Sequence, residues 1–271
     1  MEPTKPPLIL EPEALKPLLG TDQLVVVDLC KPDVYAKMHI PGAVHLDYGS
    51  IVRADKPVMG LLPAEGDLSR ALSAVGIAPE SQVVAYDDEG GGRAARLLWT
   101  LECAGHANLS LLNGGLHSWT NEGHELNDKT ASPGATVYPV TYRKEPVADA
   151  DYILSRLNDN TVRLLDTRSP NEYKGIKKFA ARGGHIPGAV NLEWTQMMDQ
   201  NRNLRVKPED RLTELLGPLE ITSDKEIIVY CQTHHRSAYT YIVLKSMGFQ
   251  RLKGYHGSWS DWGNRTDTPV E

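Results

Sequence analysis

Cysteine is scarce in this chain: Cys30, Cys103 and Cys231 are the only three among 271 residues. They are odd in number and widely spaced, with no CxxC pair, which excludes a disulfide framework and a structural zinc site and fits a reducing cytoplasm. Basic charge is not in excess either. Lys and Arg total 29 against 35 Asp and Glu, a net charge of −6, so the surplus needed to neutralise a phosphate backbone is missing and nucleic acid is not an expected partner. Long apolar runs are also lacking. The first twenty residues hold three acids, two lysines and five prolines, which rules out a secretory signal, and no stretch approaches the ~18 apolar residues of a membrane span. What remains, 41% hydrophobic and 24% charged, is the composition of a soluble globular protein, and the length suits two domains.

The sequence repeats itself. His39-Ile40-Pro41-Gly42-Ala43-Val44 recurs letter for letter as His185-Ile186-Pro187-Gly188-Ala189-Val190. Upstream of each copy an apolar run closes on an aspartate, Asp28 or Asp166, followed four residues later by Pro32 or Pro170 and seven later by Tyr35 or Tyr173. Downstream, the run ending at Tyr86 matches the one ending at Tyr230, and Asn113-Gly114-Gly115 to Trp119 matches Lys253-Gly254-Tyr255 to Trp259. One fold is written twice. Residues 126–148, rich in proline and without sustained periodicity, read as a linker between a first domain over 1–125 and a second over 149–271.

Within each half, short β-branched runs alternate with helical patterns, the signature of an α/β domain whose parallel sheet is flanked by helices. Strands are expected near 24–28, 43–46, 82–86 and 108–112, then near 162–166, 189–192, 226–230 and 250–253. Helices are expected over 92–104 and 236–247. Ser169-Pro170-Asn171-Glu172 carries the residue types of a capping box with proline at the first helical position, so a helix should start there. Lys31-Pro32-Asp33-Val34 lacks the box, and that end should be weaker.

A duplication is its own control: features kept in both halves read as structural, and features found in one are candidates for chemistry. His39 and His185 therefore read as turn-stabilising groups, and Asp28 and Asp166 as strand-end groups that bond nearby backbone. The contrast lies where a strand meets a helix. The second half runs from Tyr230 into Cys231-Gln232-Thr233-His234-His235-Arg236-Ser237; the first runs from Tyr86 into Asp87-Asp88-Glu89-Gly90-Gly91-Gly92-Arg93. Asp87 stands where Cys231 does. A thiol at the carboxyl end of a parallel strand, ahead of a helix, meets converging backbone N–H groups. Those donors, the helix dipole and Arg236 should lower its pKa and make it a nucleophile. The polar residues after it place Cys231 at a loop start rather than in a core. Cys30, aligned with Arg168, and Cys103, within an apolar helix, read as core residues. Gly90-Gly91-Gly92 lacks the Lys-Ser/Thr and the spacing of a phosphate loop and reads as a flexible junction.

These residues together resemble the tandem-domain rhodanese family, sulfurtransferases in which an inactive first domain precedes an active one. The resemblance rests on the paired HIPGAV segments, on Asp166-Thr167-Arg168-Ser169-Pro170 to Glu172-Tyr173, on the strand, cysteine loop and helix over 226–247, and on Gly257-Ser258-Trp259 to Trp262-Gly263. It is strongest to bacterial rhodaneses with the same Cys-Gln-Thr-His-His-Arg loop. It implies a thiosulfate sulfurtransferase that passes sulfur through a Cys231 persulfide to cyanide or a thiol, with a sulfur-accepting protein among the partners and no metal or organic cofactor. Arg236 and the loop residues Gln232, Thr233, His234 and His235 are expected to contact the anionic donor. Arg182, in a stretch with no counterpart in the first half, would add positive charge at the pocket mouth, and Trp194 would line the same cleft.

The loops of typical thiosulfate sulfurtransferases and of mercaptopyruvate sulfurtransferases differ from this one, so a mercaptopyruvate donor stays as an alternative. Phosphatase and arsenate-reductase relatives carry one more residue between cysteine and arginine than the four present here, which favours sulfur transfer over a tetrahedral oxyanion substrate. A non-catalytic sulfur-carrying module is the remaining reading.

Overall fold

The computed structural model describes residues 6–271. Its strands, in chain order, are β1 (Ile9–Leu10), β2 (Leu24–Asp28), β3 (Val44–His45), β4 (Arg53–Asp55), β5 (Val58–Leu61), β6 (Gln82–Tyr86), β7 (Leu109–Leu112), β8 (Val147–Ala148), β9 (Val162–Asp166), β10 (Val190–Asn191), β11 (Met198–Asp199), β12 (Arg205–Val206), β13 (Glu226–Tyr230) and β14 (Leu252–Tyr255). Ten of them form two five-stranded sheets of the same order, β1-β7-β6-β2-β3 and β8-β14-β13-β9-β10, parallel throughout. The central strands carry near-continuous apolar runs, as strands covered on both faces must. The edge strands β1 and β8 have only two residues each, too short to leave a periodic signal.

The duplication extends to individual hydrogen bonds. Tyr86 Oη accepts the Ile40 N–H at 3.1 Å and Tyr230 Oη accepts the Ile186 N–H at 3.2 Å. Tyr35 Oη donates to the Ala43 carbonyl at 3.0 Å, and Tyr173 Oη to that of Ala189 at 2.7 Å. His39 and His185 stack on those tyrosine rings, with centroids 4.1 and 3.7 Å apart, and bond their carbonyls through Nδ1. Both histidines brace the turn, and Asp28 and Asp166 accept the N–H groups of Cys30 and Arg168 two residues on.

The chain divides into two compact units whose boundaries interleave. Unit 1 comprises Met1–Ile51, Pro63–Tyr142 and Asp199–Val206; unit 2 comprises Val52–Leu62, Arg143–Met198 and Lys207–Glu271. Each half of the sequence thus gives one short strap to the unit built mainly from the other. The strap Val52–Leu62 contains the antiparallel pair β4 and β5. Neither strap has an apolar pattern that marks it in the sequence. The segment expected to be a linker is largely part of unit 1: Asn127 bridges His39, and buried Tyr138 bonds His106 and accepts from Ser69 through its carbonyl. Proline removes the regular pattern there without preventing packing.

Ser169 caps the helix Pro170–Tyr173 in a complete capping box with Glu172. No side-chain cap is present at Lys31, yet the helix there, Pro32–Lys37, has six residues against four. Buried Tyr35 holds the longer helix, whereas Gly175 at φ 72° ends the capped one.

Candidate active site

In unit 2, β13 ends at Tyr230 and the chain turns through Cys231-Gln232-Thr233-His234-His235 before the helix Arg236–Ser246. The turn is pinned from below. Ser258 Oγ accepts the N–H groups of Cys231 at 3.3 Å and His234 at 3.0 Å and donates to the Tyr255 carbonyl at 2.7 Å. The N–H of Trp259 donates to the Cys231 carbonyl and that of Ser260 to the Gln232 carbonyl, both at 3.0 Å. These bonds turn the loop's other N–H groups toward the sulfur.

Burial pushes the Cys231 thiol up, but the Arg236 guanidinium, the hydroxyl and N–H of Ser237 and the N–H of Thr233 together outweigh it and bring the pKa down to about 7. Cys30 is the control. It is buried beside Asp28, and burial and that carboxylate raise its pKa. Cys103 is likewise raised by burial. Only Cys231 among the three is held partly ionised near neutrality. Its exposure is 0%, which differs from the accessible loop position that the polar neighbours suggested; those neighbours themselves, Gln232, Thr233, His235 and Arg236, are partly exposed.

Arg236 is itself anchored. Its two terminal nitrogens each donate at 2.8 Å to one oxygen of Glu172, a bidentate pair that fixes the plane of the guanidinium. Burial pushes the Glu172 carboxyl up, but Arg236 and the Ser169 hydroxyl and N–H lower it to about 2. One side chain therefore caps a helix and aims the arginine. The sequence announced the first role and concealed the second, because the two residues are 64 positions apart.

His234 is buried, at φ 54°, and its Nδ1 lies 2.8 Å from Ser237 Oγ, the hydroxyl that faces Cys231. It is a strut for the loop rather than a group directed outward to the donor. His235 and Trp194 lie side by side, ring centroids 5.9 Å apart, and Trp194 meets Tyr239 edge-on at 5.6 Å, so Trp194 flanks the loop. Gln232 Nε2 donates to the Phe179 carbonyl at 3.1 Å. Arg182 is a correction: its guanidinium donates to the carbonyls of Thr268 and Trp262 and to the Thr268 hydroxyl. It clamps the C-terminal segment instead of offering charge to a pocket mouth.

The strap Val52–Leu62 completes this unit. The Met59 N–H donates to Ser260 Oγ at 2.9 Å, and the Leu62 N–H to His256 Nδ1 at 3.2 Å. Gly60, at φ 80°, lies against the Cys231 loop so closely that a Cβ there would be 2.1 Å from the Thr233 carbonyl oxygen. Only glycine fits.

Unit 1 contains the same cradle with an occupant built in. The N–H groups of Glu89 and Gly91 donate to Asp87 Oδ1 at 3.0 and 2.7 Å, and that of Ala94 to Oδ2 at 3.0 Å. Gly90 and Gly91 take φ of 94° and 105°, so the triple glycine is a fixed turn around the carboxylate and not a flexible junction. His234 holds the left-handed position equivalent to Gly90 in the second half. In both halves loop N–H groups converge on the side chain at the end of the central strand, Asp87 in the first and Cys231 in the second.

Among the described residues, one grouping has the donor types for a metal ion, Glu13, Glu122 and His124. Arg205 already occupies it, with its guanidinium 2.7 Å from Glu122, 3.6 Å from Glu13 and 2.9 Å from Glu11. No helix among the described residues is long and apolar enough to cross a membrane.

Two sheets of one design, one followed by Asp87 and the other by Cys231, define a duplicated α/β protein whose halves differ at the end of the central strand. The chain belongs to the rhodanese-like domain family, whose model matches residues 11–122 and again 149–265. It is similar to the thiosulfate sulfurtransferase of Pseudomonas aeruginosa, 46% identical over 98% of this chain and 97% of that protein. The thiosulfate sulfurtransferase of Azotobacter vinelandii is 44% identical over 98% and 97%, and a sulfur carrier protein of Thermus thermophilus 34% identical over 88% and 86%. Among solved structures, the anaerobic ergothioneine biosynthesis enzyme from Chlorobium limicola superimposes with a TM-score of 0.88 over 97% of this chain and 70% of that one. At 23% identity this likeness concerns the fold. The full-length relationships make the chain a sulfurtransferase.

Proposed function

We propose that the chain is a thiosulfate sulfurtransferase acting through a persulfide on Cys231. The observation that carries this reading is the Cys231 thiol held at about 7 by Arg236, Ser237 and Thr233. The thiolate attacks the outer sulfur of thiosulfate, a new S–S bond forms, and the electron pair of the old S–S bond leaves with sulfite. The charge then rests on the outer sulfur of the persulfide, where the loop N–H groups and Arg236 stabilise it as they stabilise the thiolate. An acceptor, cyanide or a thiol, attacks that sulfur and returns Cys231 to its thiolate. The sulfur travels covalently, so the reaction needs neither metal nor organic cofactor, and ping-pong kinetics follow.

Arg236 serves chiefly as the charge beside the sulfur, because Glu172 holds both of its terminal nitrogens. The relatives named as thiosulfate sulfurtransferases support thiosulfate as donor over mercaptopyruvate; equal-condition turnover of the two donors separates them. The sulfur carrier relative is compatible with an acceptor that is itself a protein. A reducing cytoplasm remains the compartment that the free thiols fit best.

The test is the intact mass of the native protein after thiosulfate treatment. A gain of about one sulfur (~32 Da) that cyanide removes and that Cys231→Ser lacks is the expected result. No gain overturns the reading.

A further inference from the structure

The catalytic half carries a loop that the first half lacks. Tyr35 and His39 are four positions apart, whereas the equivalent Tyr173 and His185 are twelve apart, which gives eight extra residues. The stretch from 173 to 192 contains Lys174, Lys177, Lys178 and Arg182 and no acidic residue, in a chain of net charge −6. Arg182 is engaged internally, but the three lysines are exposed. Beside them Ile176 is 72% exposed and Phe179 54%, the Lys177 ammonium lying 4.9 Å from the Phe179 ring centroid.

This loop is held in shape. The Lys177 N–H donates to the Asn171 carbonyl at 2.9 Å, the Ala181 N–H to Asn264 Oδ1 at 2.9 Å, and Gly175 and Gly183 approach so closely that a Cβ on either would be 2.8 Å from the other strand of the loop. It is also joined to the active site, because the Phe179 carbonyl accepts from the side chain of Gln232, the residue after Cys231. Two large exposed apolar side chains, adjoined in sequence by lysines, offer little to a small hydrated oxyanion. They match a polypeptide surface, with apolar anchors for packing and positive charge for an acidic rim.

We propose that the loop over 174–179 docks an acidic, apolar-anchored segment of the protein whose thiol takes sulfur from Cys231. The proposal rests on the persulfide reading above. In the transfer the acceptor thiolate attacks the outer sulfur, the new S–S bond forms, and the inner S–S bond breaks with Cys231 leaving as the thiolate, so no further oxidant or reductant is needed.

The test uses the full chain loaded with thiosulfate and two synthetic peptides of equal length. Each has one cysteine and two leucines, flanked in one by Asp and Glu and in the other by Lys, and loss of the ~32 Da adduct is followed by mass. The acidic peptide should discharge the protein at least about tenfold faster at low salt, and the advantage should collapse in ~0.5 M salt. Joint substitution Lys174→Glu, Lys177→Glu and Lys178→Glu should reverse the preference while the protein still loads to the same extent. Ile176→Ser with Phe179→Ser should slow the acidic peptide and leave the salt dependence unchanged. Equal rates for the two peptides, or a preference that survives the triple substitution, overturns the docking proposal alone. Failure to load with thiosulfate overturns the persulfide reading and the docking proposal with it.

Discussion

Replacing Arg236 with alanine tests the electrostatics of the site directly. In the native protein a thiol with pKa about 7 is about half ionised at pH 7. Without Arg236 the burial remains, and Glu172 is left as an unpaired carboxylate nearby, so the thiol should return to its ordinary value of 9.0 or above. At most about 1% is then ionised at pH 7, a loss of roughly fiftyfold in thiolate. The rate loss is smaller, because a thiolate about two units more basic is intrinsically some six- to tenfold more nucleophilic. Alkylation by neutral iodoacetamide should therefore slow only about five- to eightfold at pH 7, and above about pH 10 the variant should react faster than the native protein. Turnover with thiosulfate should fall further, since the dianion also loses an attracting charge. The assay is the alkylation rate against pH, read by mass at Cys231. A variant profile with its midpoint still near 7 would refute the account.

Other consequences follow from the same contacts. Gly60→Ala would have to move the Thr233 carbonyl by more than 1 Å, from 2.1 Å to an ordinary contact of 3.4 Å, dragging the adjoining His234 N–H off Ser258 Oγ and disturbing the loop around Cys231; kcat should drop by on the order of tenfold to a hundredfold with the fold intact, and full activity would contradict the packing. Glu172 has a folded pKa of about 2 against an ordinary 4.5, so its contribution to stability is present above about 4.5 and is lost as pH falls toward 2. Between pH 6 and pH 3 the native denaturation midpoint should therefore fall more than that of Glu172→Gln, and parallel declines would count against it. A fragment of residues 143–271 lacks the strap Val52–Leu62 and with it the bonds to Ser260 and His256; it should lose activity or solubility, and a fully active fragment would remove the strap from the site. Asp87→Cys should create no second reactive thiol by alkylation, because Asp88 and Glu89 beside it oppose ionisation.

The sheets were legible because their central strands are continuous apolar runs that recur in the same order in both halves, and Cys231 stood out because the first half has Asp87 in its place. The same internal control separated the structural histidines from the chemistry. Long-range pairing was not legible. Glu172 reads as a cap because its partner Ser169 is three residues away, while the Arg236 contact depends on the tertiary fold. Arg182 misled for a related reason, since nothing local shows that distant carbonyls satisfy a guanidinium. Gly90 and Gly91 looked flexible, yet their positive φ values serve a fixed turn around a side chain, a distinction only the backbone reveals.

The interleaved straps also affect how the molecule is made. A chain emerging from the ribosome presents residues 1–142 long before Asp199–Val206, so unit 1 cannot acquire its last segment until most of the polypeptide has been synthesised. Unit 2 holds the opposite debt: Val52–Leu62 is translated early and must wait, unsheltered by its final neighbours, for a C-terminal helix that appears near the end. A product that stops before Asp199 therefore leaves two unfinished units rather than one functional remnant, and one that stops soon after Val206 still leaves Val52–Leu62 without its partners.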